Sequence, residues 1–377
     1  MKKLTPTITY YLIKFIVLAV LSVLIFGVGV FVKGNLIFFS VFIACSVCLA
    51  IGSLAEFITV LHRNKRVKQV IEEESVMKGV IQESGTPRTG KTSNALSILI
   101  NHSQALWLKI QTLYSFYKNL GDYFLATADD KMCRELTDIN RCYEFYTTHP
   151  EYIPCLASNI PIEYNGQRAY PLESAHVLQT TELPPYTDLF IDELSYFFDP
   201  IIFKDSETAA DIDEFTRFCN QYLGDGVLII GVDQDPNKSF IGFRRNVNFI
   251  KYQLGQNWVN SPKFLFKYLE RLNRKLEKNP DNIKLSYKIF KIDNFCHKIG
   301  FRKYHYVKMS NVVNPVFKDD KIYTEYRPAS LECVYDDRAF SELYKSKYKG
   351  FKEEKYNSLI LSPQVRETLI RYKDKKK

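Results

Sequence analysis

Residues 85–92 read Gly85-Thr86-Pro87-Arg88-Thr89-Gly90-Lys91-Thr92, and Ser93 follows. Two glycines bracket a short loop, and a lysine and a hydroxyl come directly after it. The pattern is G-x-x-x-x-G-K-[ST] at every position. The glycines let the backbone curl and bring its N–H groups close to phosphate oxygens. Lys91 supplies a mobile positive charge for β- and γ-phosphates. The Thr92 hydroxyl is a ligand type suited to Mg2+. The apolar run 95–100 then reads as a helix whose N-terminus faces the anion. Together these residues are expected to bind ATP with Mg2+, with Gly85, Thr86, Pro87, Arg88, Thr89, Gly90, Lys91, Thr92 and Ser93 around the phosphates. The competing reading is a glycine-containing turn before a helix.

A second cluster lies roughly 100 residues later, where the apolar run 189–191 ends in Asp192-Glu193. In P-loop enzymes a strand of this kind is expected beside the P-loop strand. Asp192 would then hold Mg2+ through water, and Glu193 would polarise the attacking water. Otherwise the pair is two solvated acids at a strand exit. The uncharged run 227–232 suits the middle of a parallel sheet. It ends in Asp233-Gln234-Asp235-Pro236, and the Gln234 amide there can reach a γ-phosphate. Residues 238–250 read as a helix carrying Arg244 and Arg245. Either arginine could act as a finger into a neighbouring subunit's nucleotide, or pair with an acid of its own chain.

Several elements must position these groups. Residues 80–84 form an acceptable but polar strand before the loop. Residues 94–119 read as a helix with room for a bend near His102-Ser103, and 129–146 as another. Residues 153–162 read as one short buried strand, followed by a turn at Asn165-Gly166. Residues 211–223 read as a helix with Phe215, Phe218 and Tyr222 on one face. The alternation predicts an α/β P-loop NTPase domain of three layers with a mainly parallel sheet.

The N-terminal residues differ in character. Residues 15–32 are apolar and uncharged, about the length that spans a bilayer, and 36–61 form a second apolar run broken only by Glu56. Only Lys33-Gly34-Asn35 connects them, so the pair reads as a transmembrane hairpin with the lipid bilayer as partner. Lys2, Lys3 and Lys14 precede the first run, while Arg63, Lys65, Arg66 and Lys68 follow the second. Both basic flanks belong in the cytoplasm, where ATP is. The alternatives are a cleaved signal peptide and buried globular helices. Glu56 either reaches the headgroups or serves a function.

The expected organisation is therefore a hairpin over 1–62 and a charged linker helix over 63–78. A P-loop ATPase domain over 79–255 follows, then a basic, aromatic-rich extension over 256–350 and a basic tail over 351–377. The 377-residue chain has 46% hydrophobic and 25% charged residues, the composition of a folded protein. Its eight cysteines show no paired zinc-ligand spacing. Cys45 and Cys48 lie in an apolar run and read as small membrane residues, and a cytoplasmic site keeps the rest as thiols.

The order of motifs resembles one family. The loop at 85–92 is followed by Ser158-Asn159-Ile160-Pro161, the Ile191-Asp192-Glu193 strand, Tyr222-Leu223-Gly224-Asp225-Gly226, Gln234 at a strand end, and a Phe240-Ile241 to Arg244-Arg245-Asn246-Val247 segment. This is similar to the zonula occludens toxin-like (Zot) domain of filamentous-phage assembly ATPases, within the FtsK/HerA group of P-loop motors. The similarity covers about 78–255 and extends at most to 345. It implies an inner-membrane ATPase, working as a homo-oligomeric ring with phage coat or other assembly proteins, that drives virion extrusion. It also implies a sensor role for Gln234. Familiar members place one span after the ATPase, whereas this chain places a hairpin before it and has no apolar run of membrane length after residue 62. N-terminal hairpins are common in relatives that pump DNA, such as conjugative coupling proteins, so a DNA translocase stays open beside the assembly motor. A P-loop scaffold using nucleotide only as a switch is the third reading.

Residues 238–308 hold 17 Lys/Arg against 4 Asp/Glu, a surplus larger than the net charge of +9 on the whole chain. Phe264, Phe266, Tyr268, Tyr287, Phe290, Phe301, Tyr304 and Tyr306 are interleaved with them. Such a composition suits single-stranded DNA, anionic lipid headgroups, or simply the solvated faces of a helix at 264–276 and a strand at 301–308. One outcome follows from the loop alone. Lys91→Ala should abolish nucleotide binding, read as loss of fluorescent-ATP anisotropy in the purified chain; unchanged anisotropy would leave the loop as an ordinary turn.

Overall fold

A computed structural model describes residues 5–31, 34–127, 129–172, 183–197, 226–237, 241–280, 282–309, 321–331 and 334–335. The helix expected at 211–223, the Tyr222–Gly226 motif up to residue 225 and the tail at 351–377 lie outside them. The chain divides into two compact units. One holds residues 1–70, 258–302 and 326–330, and the other holds 71–257, 303–325 and 331–377. The boundaries read from the sequence, at 62, 78 and 255, follow a different division.

The first unit begins with α1 (Pro6–Phe31) and α2 (Leu36–Glu74), whose last residues continue into the second unit. Asn35 caps α2, its Oδ1 accepting the Ile37 and Phe38 N–H groups at 3.2 and 3.4 Å. The helices touch through small groups. The Ser22 and Ser46 hydroxyls each donate to the other residue's carbonyl at 2.9 Å. A Cβ added to Gly29 would stand 2.9 Å from Phe42 Cβ, so the glycine sets a close approach. Both helices are long and apolar enough to cross a membrane, and only 11% of each apolar stretch is buried within the chain. That argues against buried globular helices. Of the separate linker helix expected at 63–78, residues 63–74 instead continue α2, which at 39 residues spans about 58 Å, well beyond a hydrocarbon core of ~30 Å. The same unit contains α7 (Lys263–Lys278) and α8 (Ile283–His297), each rich in basic residues.

The second unit is a mixed α/β fold around a mainly parallel sheet. Its strands are β1 (Gly79–Gly85), β2 (Tyr152–Ser158), β3 (Ile162–Tyr164), β4 (Gln167–Pro171), β5 (Asp188–Ile191), β6 (Leu228–Asp233), β7 (Val247–Val259), β8 (Phe301–Met309), β9 (Tyr323–Pro328) and β10 (Val334–Tyr335), the ends of β7, β8 and β9 reaching the first unit. Their order is β10-β3-β4-β2-β5-β6-β1-β7-β8-β9. The central pairs β2·β5, β5·β6, β6·β1 and β1·β7 are parallel. Alternate residues of the inner strands feed apolar clusters on opposite faces. Leu189, Ile191 and Ile229 join one, whereas Phe190, Leu228 and Ile230 join the other. Burying each such side chain stabilises by about 1.5–3 kcal/mol. The helix α3 (Lys91–Thr127) covers the second face with Ala95, Leu96, Leu99 and Ile100. It runs unbroken through His102-Ser103 and longer than expected. Its outer end meets α4 (Asp130–Thr148), capped by Asp129, in a cluster of aromatic rings.

Three readings need correction. The Asp192-Glu193 strand does not lie beside β1: β6 stands between them, pairing with both. The strand expected over 153–162 is two, because Asn159 turns its side chain inward and Pro161 has no N–H for a ladder. The helix expected over 238–250 is described only as α6 (Ile241–Asn246), after which the chain becomes β7 and pairs with β1.

A buried ionic contact joins α3 to β5. His102 Nδ1 lies 2.6 Å from Asp188 Oδ2, and Asp188 Oδ1 accepts the Leu228 N–H at 2.8 Å. Burial pulls the His102 imidazolium down, but the charge and hydrogen bond of Asp188 outweigh it and the net shift is upward. Burial pushes Asp188 up as well. Both shifts mean that the folded state holds a proton the unfolded chain releases, so stability falls with rising pH. For His102 the loss starts above the ordinary value of ~6.5, with a slope of at most about 1.4 kcal/mol per pH unit. Melting of the purified protein should therefore move to lower temperature as pH rises above neutrality, and His102→Gln should flatten that slope. An unaltered slope in the variant would assign the effect elsewhere.

Candidate active site

The candidate site lies at the C-terminal ends of the parallel strands β1, β5 and β6. Residues 86–90 join β1 directly to α3, so the first N–H groups of that helix, which have no carbonyl partner within it, open on the loop. Arg88 adopts a left-handed backbone with φ of 67°. Thr89 Oγ1 donates to the Thr86 carbonyl at 2.8 Å and closes the loop. Gly85 has φ of 150°, and a Cβ there would stand 2.6 Å from the Gln253 carbonyl of β7. Only glycine allows that approach. Lys91 is buried at the start of α3, and Thr92 is half-buried beside it.

Polar residues of β1 support this loop. Glu83, fully buried, accepts a hydrogen bond from Asn94 Nδ2 at 2.8 Å and from Gln253 Nε2 at 3.1 Å. One carboxylate thus links the strand before the loop, the helix after it and the neighbouring strand. The Ser93 and Tyr304 hydroxyls share a hydrogen bond of 2.9 Å, tying β8 to the same helical turn.

Asp192 faces Lys91 closely enough for the lysine charge to lower its pKa, yet burial dominates. Desolvation, with Glu193 beside it, pushes the Asp192 carboxyl up to about 7. Its backbone is clamped by Asn159: Asp192 N–H donates to Asn159 Oδ1 at 2.8 Å, and Asn159 Nδ2 donates to the Asp192 carbonyl at 2.9 Å. Glu193 takes φ of 50°, a conformation that costs a side-chain-bearing residue roughly 1–3 kcal/mol. Gln234 Nε2 lies 3.4 Å from Glu193 Oε1, a long contact between the exposed Gln234 and the half-buried Glu193. Asp233 accepts from Ser195 N and Oγ at 3.0 and 3.2 Å and from Gln234 N at 2.7 Å. Burial nevertheless pushes it up to about 6. Gly231 makes this packing feasible, since a Cβ there would meet Leu194 Cδ1 of α5 (Leu194–Phe197) at 2.3 Å.

Of the residues singled out by type and spacing, Asp192 lies within range of the Lys91 charge and Gln234 lies beside Glu193. Arg244 is partly buried, which pulls its guanidinium down, and the charge of Asp235 in the same chain opposes that shift. Arg245 is exposed. Among the described residues no cluster of three or more His, Cys, Asp or Glu side chains forms a self-sufficient metal site. A cation here would draw on Asp192, Thr92 and phosphate oxygens, and a buried lysine at a helix N-terminus fits the charge of a nucleoside triphosphate. Sequence reasoning assigns Glu83, Asn94, Asp233 and Tyr304 no place in this site. It marks Asn159 only as part of the Ser-Asn-Ile-Pro motif.

No protein-family model matches the chain, and no curated protein matches it. Among solved structures, the chain is similar to one described as an ATPase domain, at 10% identity over 64% of this chain and 85% of that one, with a TM-score of 0.24. A likeness of that size carries no functional weight. The resemblance to the Zot-like domain therefore rests on the motifs.

The Asn159 clamp generates a prediction. Asn159→Ala leaves two buried backbone groups of Asp192 unpaired, at about 1–3 kcal/mol each. Turnover of ATP should fall about tenfold or more, while fluorescent-ATP binding through the 85–92 loop changes little. Equal losses of both, or of neither, would mean that the clamp does not position Asp192.

Proposed function

We propose that this chain is a membrane-anchored P-loop ATPase. The observation that carries the reading is that Asp192, with Glu193 next to it, lies close enough to the buried Lys91 of the 85–92 loop to feel its charge. Lys91 and the first N–H groups of α3 would hold the β- and γ-phosphates. Mg2+ would supply charge neutralisation of the phosphates, and Thr92 and Asp192 are the residues to hold it. Glu193 projects from its strained turn within reach of Gln234, so the two can orient a water between them for attack on phosphorus. The burial of Lys91 and Asp192 strengthens their electrostatic contacts relative to water.

The anchor is the α1–α2 hairpin, with both ends and the ATPase on the cytoplasmic side of the inner membrane by the distribution of basic residues. On the motif resemblance, we read the ATPase as a homo-oligomeric motor acting with phage coat or other assembly proteins in virion extrusion. Arg245, the more exposed of the two arginines, is then the better finger toward a neighbouring protomer's nucleotide. A DNA translocase is the second reading, favoured by the surplus of basic residues interleaved with aromatic rings over 238–308.

Purified in mild detergent, the protein should hydrolyse ATP. Glu193→Gln should retain ATP binding while turnover drops by about two orders of magnitude or more, the scale of a lost general base. Unchanged turnover in Glu193→Gln would place water activation elsewhere. Several-fold stimulation by single-stranded DNA, weakening with salt, would select the translocase over the assembly motor; indifference to DNA would select the assembly motor.

A further inference from the structure

The first unit contains a cavity of about 570 Å³ that the ATPase chemistry does not use. Its wall includes Tyr10 and Lys14 of α1, Glu56 of α2, and Trp258, Lys263 and Phe264 from the segment leading into α7. Lys14 and Glu56 form an ion pair at 2.6 Å, each side chain about one third exposed. The cavity thus holds two lysines against one carboxylate, a net charge of +1. With Lys14 engaged by Glu56, the surplus positive charge is that of Lys263.

The wall is fixed by contacts within the unit. Thr7 Oγ1 accepts the Gly300 N–H at 3.0 Å. Arg63 Nη1 donates to Asn260 Oδ1. Trp258 Nε1 donates to the Ile299 carbonyl at 3.1 Å, and the Arg302 guanidinium lies 4.3 Å from its ring centroid. The cavity therefore stands at the polar end of both apolar helices, where Lys14 and Glu56 mark the edge of the uncharged runs. Phe264, 76% exposed, projects from the first turn of α7, and nine residues of α7 and α8 are Lys or Arg. Aromatic rings beside a basic helix, at the end of a membrane-length hairpin, match the headgroup layer of a bilayer.

We propose that this cavity binds the phosphodiester of an anionic glycerophospholipid, with Lys263 as its counter-charge and Trp258 and Tyr10 against the glycerol region. The inference rests on the membrane reading of the hairpin. Lipid is favoured over free phosphate because the aromatic lining gives the glycerol ester a surface that an inorganic ion cannot use.

The chain has two tryptophans, Trp107 and Trp258. A Trp107→Phe variant of the full chain therefore makes Trp258 the sole reporter. Reconstituted in phosphatidylcholine vesicles, it should show a saturable change in emission as phosphatidylglycerol replaces phosphatidylcholine. Lys263→Gln should raise the phosphatidylglycerol fraction at half-saturation about fivefold or more, and Lys263→Arg should restore it. Inorganic phosphate added to phosphatidylcholine vesicles should produce no change. No saturable response, or one indifferent to Lys263→Gln, would overturn the site. The same response to inorganic phosphate would reassign it to a free anion. Flotation of the protein with vesicles after an alkaline wash separates the two levels: flotation without a lipid response removes the site and leaves the anchor, whereas failure to float removes both.

Discussion

The candidate site depends on holding the buried Asp192 near the buried Lys91. Desolvation above all drives the Asp192 carboxyl up to about 7 despite the lysine. A charge so placed would escape to solvent if its backbone could move. The two hydrogen bonds from Asn159 deny it that freedom, and the Glu83–Asn94–Gln253 network does the same for the loop carrying Lys91. Both supports are hydrogen bonds made by buried amides and a buried carboxylate, which makes them costly to break.

The loop, Asp192-Glu193 and Gln234 stand out as candidates in the sequence because each is a local signal, a short run of residue types at fixed spacing. The supports do not. Gln82, Glu83 and Ser84 make β1 look like a half-exposed strand, yet all three are buried. Their partners Asn94 and Gln253 are set by the fold, and Gln253 belongs to a strand expected to begin as a helix. Strand adjacency was illegible for the same reason. Nothing local to the run at 189–191 says that β6 will insert between it and β1; strand order is set by packing across the whole sheet.

The basic residues after 238 show how composition misleads when it is summed along the chain. Read as one stretch, they suggest a single basic extension of the ATPase. The fold divides them, with 258–302 in the unit that begins with the hairpin and 303–309 in the α/β unit. In the latter, Tyr304 is committed to Ser93 and Tyr306 stacks on Tyr323, centroids 5.5 Å apart, so these rings are structural. In the former, Phe264 remains outward beside lysines. The same residue types thus serve a core in one unit and offer a surface in the other.

The measurement that bears most directly on this account is Mg2+-dependent phosphate release by the purified full chain, wild type against Asp192→Asn, across a Mg2+ titration. The account predicts hydrolysis in the wild type that requires Mg2+ and is lost in the variant, with ATP still bound through Lys91. Equal hydrolysis in both, or hydrolysis indifferent to Mg2+, would contradict it.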